Sequence, residues 1–101
     1  MRPADHDLVS LKERHFSELL MFSRLVYHIC LGFSANPTEA EELYQEVYLK
    51  AWSRIGSLRA QDSKKYWLVK IARNTSLNYL RKKKNHQRLA TRDLASLANR
   101  E

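Results

Sequence analysis

The stretch YWLVKIARNTSLNYLRKKK, residues 66–84, predicts one long helix with two different faces and a basic end. Residues at helical spacing mark the face that we expect to be buried: Trp67, Leu68, Ile71, Ala72, Thr75 and Tyr79. The second face is rich in hydrogen-bond donors and holds no carboxylate: Lys70, Arg73, Asn74, Leu77, Asn78 and Arg81. Such a face suits phosphates and base edges. A solvated amphipathic helix, with lysines that offset its C-terminal dipole, would show the same pattern.

The length and composition of the chain limit the classes of protein to which it can belong. A chain of 101 residues corresponds to one domain, and a hydrophobic fraction of 44% supports a small core. Only two Gly and two Pro favour an all-α fold, which we expect to be a compact bundle of three to four helices. No apolar run approaches the ~20 residues of a membrane helix, so we expect a cytoplasmic protein without a membrane partner. The single Cys30 is predicted to be a core residue in a reducing compartment.

The charge is divided unevenly along the chain. Residues 1–46 hold four Lys/Arg and eight Asp/Glu, a net charge of −4, whereas residues 47–101 hold fourteen and three, a net charge of +11. This asymmetry indicates two different partners, with an anionic polymer facing the C-terminal half. A basic surface that serves only solubility is the alternative.

The N-terminal third predicts one helix from about residue 7 to residue 31, with Gly32 as its stop. Most apolar residues of this helix lie on one face, but three lie outside that main apolar stripe: Leu20, Met21 and Leu25. The helix would therefore pack on more than one neighbour, or its start would form a separate short helix.

Two further helices are predicted from their start signals. Asn36 and Pro37, followed by Glu39, form a capping sequence for a helix that runs to about Ser53. A polar loop, residues 55–65, then leads to the third helix, which Asp62 or Ser63 can cap.

The residue types that commonly serve as metal ligands or catalytic groups do not occur in this chain at the spacing that such sites need. Four histidines lack metal-ligand spacing: His6, His15, His28 and His86. The clustered carboxylates of the second helix have no nucleophile or base beside them. We therefore expect no enzyme activity, no metal site and no cofactor.

Two blocks in order, EAEELYQEVYLKAW (residues 39–52) and WLVKIARNTSLNYLRKK (residues 67–83), resemble region 2 of bacterial sigma factors. The match is closest to the extracytoplasmic-function group of the sigma-70 family. The shared positions are Ala40, Glu41, Leu43, Gln45, Glu46, Tyr48, Trp52, Trp67, Leu68, Ile71, Ala72, Asn74, Leu80 and Arg81. Glu42 replaces the commoner Asp, and Leu58 stands where many members have Phe. Residues 1–84 would form the region 2 domain, and residues 85–101 would begin an inter-domain linker or tail, with the helix-turn-helix region 4 absent.

The resemblance implies a role in transcription initiation. Region 2 docks on the clamp helices of the largest RNA polymerase subunit, here through Glu39, Glu42, Gln45, Glu46 and Leu49. It recognises and melts the minus-ten promoter element by capturing a flipped base of the single-stranded non-template strand. Base recognition would use Leu58, Arg59, Ala60, Gln61, Asp62, Ser63, Lys64, Lys65, Asn74 and Asn78. The DNA backbone and melting would involve Tyr66, Trp67, Lys70, Arg73, Arg81, Lys82, Lys83 and Lys84.

Two other functions fit the same residues. The chain could be a basic protein-interaction module that binds an acidic partner, for which an anti-sigma factor is the form known in the family. It could also be a domain that coats nucleic acid without sequence preference, and such a domain would bind promoter-like and random strands alike at matched salt.

Overall fold

The computed structural model describes the backbone of residues 3–59 and 61–98, and the side chains of residues 11–59 and 61–89. These residues form α1 (Pro3–Leu20), α2 (Ser23–Phe33), α3 (Pro37–Arg54), a 3₁₀ turn (Ile55–Ser57) and α4 (Lys64–Ala98). The described part of the chain contains no strand, which confirms the all-α prediction.

The predicted first helix is two helices, broken after Leu20. The axes of the two segments differ by 61°. At the break, the Phe22 N–H donates to the Leu19 carbonyl oxygen at 3.1 Å, and the buried Tyr48 hydroxyl donates to the same oxygen at 3.0 Å. These donors satisfy a carbonyl that the end of α1 leaves open. The expectation of one continuous helix is therefore wrong. A separate first helix forms, as the alternative predicted, but with 18 residues it is longer than α2 and not short.

The end of α2 is set by Ser34 rather than by Gly32. Gly32 lies inside α2, and its backbone does not enter the left-handed region. The Ser34 hydroxyl donates to the Cys30 carbonyl oxygen at 2.6 Å, and the Ser34 N–H donates to the Leu31 carbonyl oxygen at 3.3 Å. The predicted stop at Gly32 is wrong because Ser34 supplies the hydrogen bonds that end the helix.

The start signals of α3 and α4 act as predicted. The Asn36 side chain accepts a hydrogen bond from the Glu39 N–H at 2.9 Å, and Pro37 occupies the first turn. Ser63 caps α4, since its hydroxyl accepts from the Tyr66 N–H at 3.4 Å. α4 spans 35 residues and continues past Lys84, so residues 85–98, predicted as a linker or tail, extend the same helix.

The core lies where α2, α3 and α4 pack against one another, with α1 against α4 and the 3₁₀ turn. Its buried members are Leu19, Val26, Cys30, Ala40, Leu43, Val47, Tyr48, Ala51, Ile55, Leu68, Ile71 and Ala72. Cys30 is fully buried, which confirms it as a core residue, and this burial raises the pKa of its thiol to about 11. On α4, the predicted stripe is buried or half-buried throughout, and the opposite face is left to solvent.

Within the described residues, no single helix has both the length and the apolar composition to cross a membrane. Residues 11–20 and α2 reach that composition only when they are added together across their 61° bend.

Candidate nucleic-acid interface

The acid-free face of α4 is exposed along its whole predicted length. All six of its residues are exposed: Lys70, Arg73, Asn74, Leu77, Asn78 and Arg81. None of these cations forms an ion pair with a described carboxylate. Packing of the opposite stripe on α2 and α3 fixes this orientation, so α4 presents positive charge and amide groups to solvent.

Four shallow hollows follow one another along α4. The loop hollow (about 280 Å³) is lined by Asp62, Ser63, Tyr66, Trp67 and Lys70. The middle hollow (about 360 Å³) is lined by Tyr66, Val69, Lys70, Arg73, Asn74 and Leu77. The interhelical hollow (about 260 Å³) is lined by Lys50, Arg54, Asn74, Thr75, Leu77, Asn78 and Arg81. The far hollow (about 230 Å³) is lined by Glu46, Lys50, Thr75, Asn78, Tyr79, Arg81, Lys82 and Asn85. Neighbouring hollows share residues, so together they form a continuous track.

The two predicted recognition amides lie at different places on this track. Asn74 lines the middle hollow together with Tyr66, which in turn lines the loop hollow. Asn78 lines only the interhelical and far hollows, and it shares neither with a described residue of the loop. The two amides were predicted to face the loop together; of the two, only Asn74 shares a hollow with Tyr66, the residue that follows the loop.

The loop residues divide into those that hold the loop and those that are exposed. The Arg59 N–H donates to Asp62 Oδ2 at 2.8 Å, and the Asp62 N–H donates to the Arg59 carbonyl oxygen at 3.0 Å. Lys64 forms an ion pair with Glu18 of α1. The exposed side chains are Arg59, Gln61, Ser63 and Lys65. Ala60, also predicted to contact the base, lies outside the described residues.

Leu58 is a correction to the predicted base-contacting set. Its side chain is only 9% exposed, because the 3₁₀ turn directs it inward. The Leu58 N–H donates to the Ile55 carbonyl oxygen at 3.1 Å. Leu58 therefore packs beneath the loop and does not offer a side chain to a ligand.

The residues predicted to hold the DNA backbone are mostly accessible. Tyr66 is 74% exposed, and Trp67 is half-buried against the core. Lys82 and Lys84 are exposed and form no ion pair with a described carboxylate. Lys83 is the exception, because its ammonium lies 2.9 Å from Glu39 Oε1 and 3.1 Å from Oε2.

Glu39 has a structural role that its predicted docking role did not include. Its Oε2 accepts a hydrogen bond at 2.8 Å from the N–H of Ala35, the residue before the Asn36 cap, and this bond holds the chain at the start of α3. The Ala35 N–H and the Lys83 ammonium, with the Tyr79 hydroxyl beside them, lower the pKa of Glu39 to about 2. Glu39 raises the pKa of Lys83 in return. This pair joins the start of α3 to α4, and the assignments of Glu39 to a partner and of Lys83 to DNA stay predictions.

We expect Glu39→Gln to lower the melting temperature at pH 7 and to make the domain less sensitive to acid. The folded pKa of about 2 lies below the ordinary value for an unfolded chain, about 4.3. The carboxylate therefore stabilises the fold above the unfolded pKa, and this contribution is lost as pH falls through the folded pKa. Thermal unfolding followed by circular dichroism, from about pH 6 to pH 2, measures the effect.

The control for this prediction is Glu41→Gln on the same helix. Glu41 is exposed and forms no ion pair with a described cation. Its removal should leave the acid sensitivity of the melting temperature as in the wild type. Equal acid sensitivity of Glu39→Gln and the wild type would contradict the assigned role of Glu39.

An apolar groove of about 760 Å³ lies between α1 and α3. It is lined by Glu13, Phe16, Ser17, Leu20, Tyr44, Gln45, Tyr48, Leu49 and Trp52. Aromatic rings form its floor, where Phe16 packs edge-on against Trp52 with ring centroids 5.2 Å apart. Leu49 is 69% exposed beside this floor, so it extends the apolar surface of the groove.

Part of the predicted docking face opens on this groove. Gln45 and Leu49 line it, whereas Glu42 and Glu46 are exposed nearby on α3. Phe16, Leu20 and Trp52 were not in the predicted set. The apolar position of Leu20, off the main stripe of its helix, was the signal in the sequence for this second apolar surface.

The described residues contain no group of three or more His, Cys, Asp or Glu that could hold a metal ion.

Comparison with known proteins gives a family for most of the chain. Residues 20–86 match the family described as Sigma-70 region 2. The chain is 34% identical over 59 residues to the ECF RNA polymerase sigma factor SigW of Bacillus subtilis, covering 58% of the chain and 32% of that protein. It is 31% identical over 77 residues to the ECF factor SigM of the same organism, covering 76% of the chain and 47% of SigM.

A third relative is the RNA polymerase sigma-H factor of Pseudomonas aeruginosa, 29% identical over 62 residues, with 61% of the chain and 32% of that protein covered. The matches thus span from about a third to about half of the length of these curated relatives. No solved structure gives a significant match.

Proposed function

The chain belongs to the sigma-70 region 2 family, and on that premise we propose that it is the promoter-recognition module of an extracytoplasmic-function sigma factor. It docks on RNA polymerase and recognises and melts the minus-ten element during transcription initiation. The observation that carries this proposal is the acid-free face of α4, on which two exposed amides lie between unpaired cations along a continuous track.

The dimensions and chemistry of the track support a single strand as its ligand. From Ser63 to Arg81 the helix rises by about 27 Å at ~1.5 Å per residue. A stacked strand advances ~3.4 Å per nucleotide, so about eight nucleotides fit this length. Lys70 and Arg73 bind phosphates, and the ring of Tyr66 offers a platform for an unstacked base.

The separation of the two amides supports separate reading positions. Asn74 shares the middle hollow with Tyr66, about two helical turns away, so we assign it to the extruded base. Asn78 lies one turn further along α4, and we assign it to another nucleotide. Each amide offers a donor and an acceptor, and both groups are needed to distinguish one base edge from another.

The groove between α1 and α3 supports docking on the polymerase. Leu49 and the aromatic floor offer an apolar contact, and the exposed Glu42 adds negative charge elsewhere on the same helix. A partner helix with apolar and basic side chains matches this surface. We therefore assign Glu42, Gln45, Glu46 and Leu49 to contact with the clamp helices.

We expect Asn74→Ala and Asn78→Ala each to reduce the preference for a matched single strand over a scrambled one by about 1–3 kcal/mol, the usual value of a good side-chain contact to a base edge. Both residues are exposed, so the fold should not change. Fluorescence anisotropy with labelled non-template oligonucleotides, selected first against the wild-type chain in complex with core polymerase, measures the difference.

Lys82→Ala is the matched control, because Lys82 is exposed at the end of the same face. We expect Lys82→Ala to weaken binding to matched and scrambled strands alike and to reduce the salt dependence of that binding. Equal losses on both strands for the two Asn variants would contradict their reading roles. A wild-type chain with no preference for any strand would indicate non-specific coating of nucleic acid.

A further inference from the structure

The interhelical hollow brings cations from two helices to one place. Lys50 and Arg54 come from the last turns of α3, and Arg81 comes from α4. Asn74 and Asn78 add amides to the lining, and no carboxylate lines this hollow. Most of α3 is acidic, so the two cations at its end form a site of opposite character to the rest of the helix.

Cations near a helix C-terminus often stabilise the open carbonyls of the last turn. Here other groups supply hydrogen bonds to those carbonyls. The Ile55 N–H donates to the Trp52 carbonyl oxygen, and the Ser57 hydroxyl donates to the Arg54 carbonyl oxygen at 2.7 Å. The side chains of Lys50 and Arg54 are therefore not needed as caps, and they line the hollow instead.

We propose that the interhelical hollow binds one phosphodiester group of the single-stranded DNA, so that α3 contributes Lys50 and Arg54 to the DNA surface. This inference rests on the proposed function and adds a backbone site at the junction of the two helices. Two arginines with planar donor groups, from opposite walls, suit the several oxygens of a phosphate. A phosphate held there places the adjoining nucleotide beside Asn78.

Glu46 partly neutralises this site. Its Oε1 lies 3.3 Å from the Lys50 ammonium, one helical turn away, and Glu46 lines the neighbouring far hollow. An exposed pair at this spacing is weak, so a phosphate competes with it readily. Removing the Glu46 carboxylate leaves Lys50 available to the phosphate alone.

The test compares variants of the full 101-residue chain in their binding to matched and scrambled single strands, at several salt concentrations. Arg54→Ala should weaken binding of both strands alike, by roughly tenfold or more, because the lost hydrogen bond is made to a charged group. Its plot of log affinity against log salt should become shallower by about 0.7, the value for one phosphate of a single strand. Arg24→Ala removes an exposed arginine of α2 that lines none of the four hollows, and it should change neither quantity.

A second pair of variants tests Glu46 through the same readout. Glu46→Gln should tighten binding about twofold, whereas Glu41→Gln, with the same change of charge elsewhere on α3, should tighten it less. If Arg54→Ala keeps the wild-type affinity and salt slope while the wild type discriminates between strands, this phosphate site is refuted and the proposed function stands. If the wild type binds no single strand, both are refuted.

Discussion

Replacing Leu68 by alanine should lower the free energy of unfolding by about 3 kcal/mol. Leu68 is fully buried in the core that α2, α3 and α4 share. Removing three carbon atoms there loses their transfer free energy and leaves a cavity that the rigid helices fill only in part. A domain of this length has a stability of roughly 5–15 kcal/mol, so the loss is a large share of the whole.

Thermal unfolding and urea denaturation measure this effect, and we expect the melting temperature to fall by about 15 °C. Leu89→Ala is the matched control, since Leu89 lies on the same helix and is 58% exposed. It should cost less than about 0.5 kcal/mol. A similar loss in the two variants would contradict the assignment of Leu68 to the core.

The sequence predicted α3 and the orientation of α4 well because local signals determine both. The cap at Asn36 marks the start of α3, and the apolar stripe of α4 separates its buried face from its exposed one. The break between α1 and α2 after Leu20 was harder to predict from the sequence. It depends on the hydroxyl of Tyr48, which lies 29 residues away in sequence, and no pattern within α1 reports that contact.

The candidate site was predicted one helix at a time, and the features that the sequence did not show come from contacts between helices. Lys50 and Arg54 were missed because they belong to a helix whose other charges are mostly acidic. Glu39 and Lys83 were assigned to two different partners because the sequence does not show that α3 begins beside α4. Their ion pair spans 44 positions, a separation that helical periodicity cannot reveal.

Leu49→Glu should weaken binding of the chain to core RNA polymerase by at least about 30-fold. Residues at the centre of an interface commonly contribute 2 kcal/mol or more, and a tenfold change in affinity corresponds to about 1.4 kcal/mol. Leu49 is the most exposed of the apolar residues that line the groove, so docking would bury it against the partner. A carboxylate there would have to lose its water without gaining a partner cation.

The measurement pairs two assays on the same protein: competition for core polymerase, and binding of a single strand by the isolated chain. The groove lies between α1 and α3, and Leu49 lines none of the four hollows of the DNA track, so single-strand affinity should stay within about twofold of wild type. Leu11→Glu introduces the same charge at an exposed leucine of α1 outside the groove, and it should retain polymerase binding. Parallel loss of both activities in Leu49→Glu would mean that the fold is damaged. If Leu49→Glu loses neither activity, the polymerase binds elsewhere, because burying a carboxylate at the centre of an apolar contact would cost binding free energy.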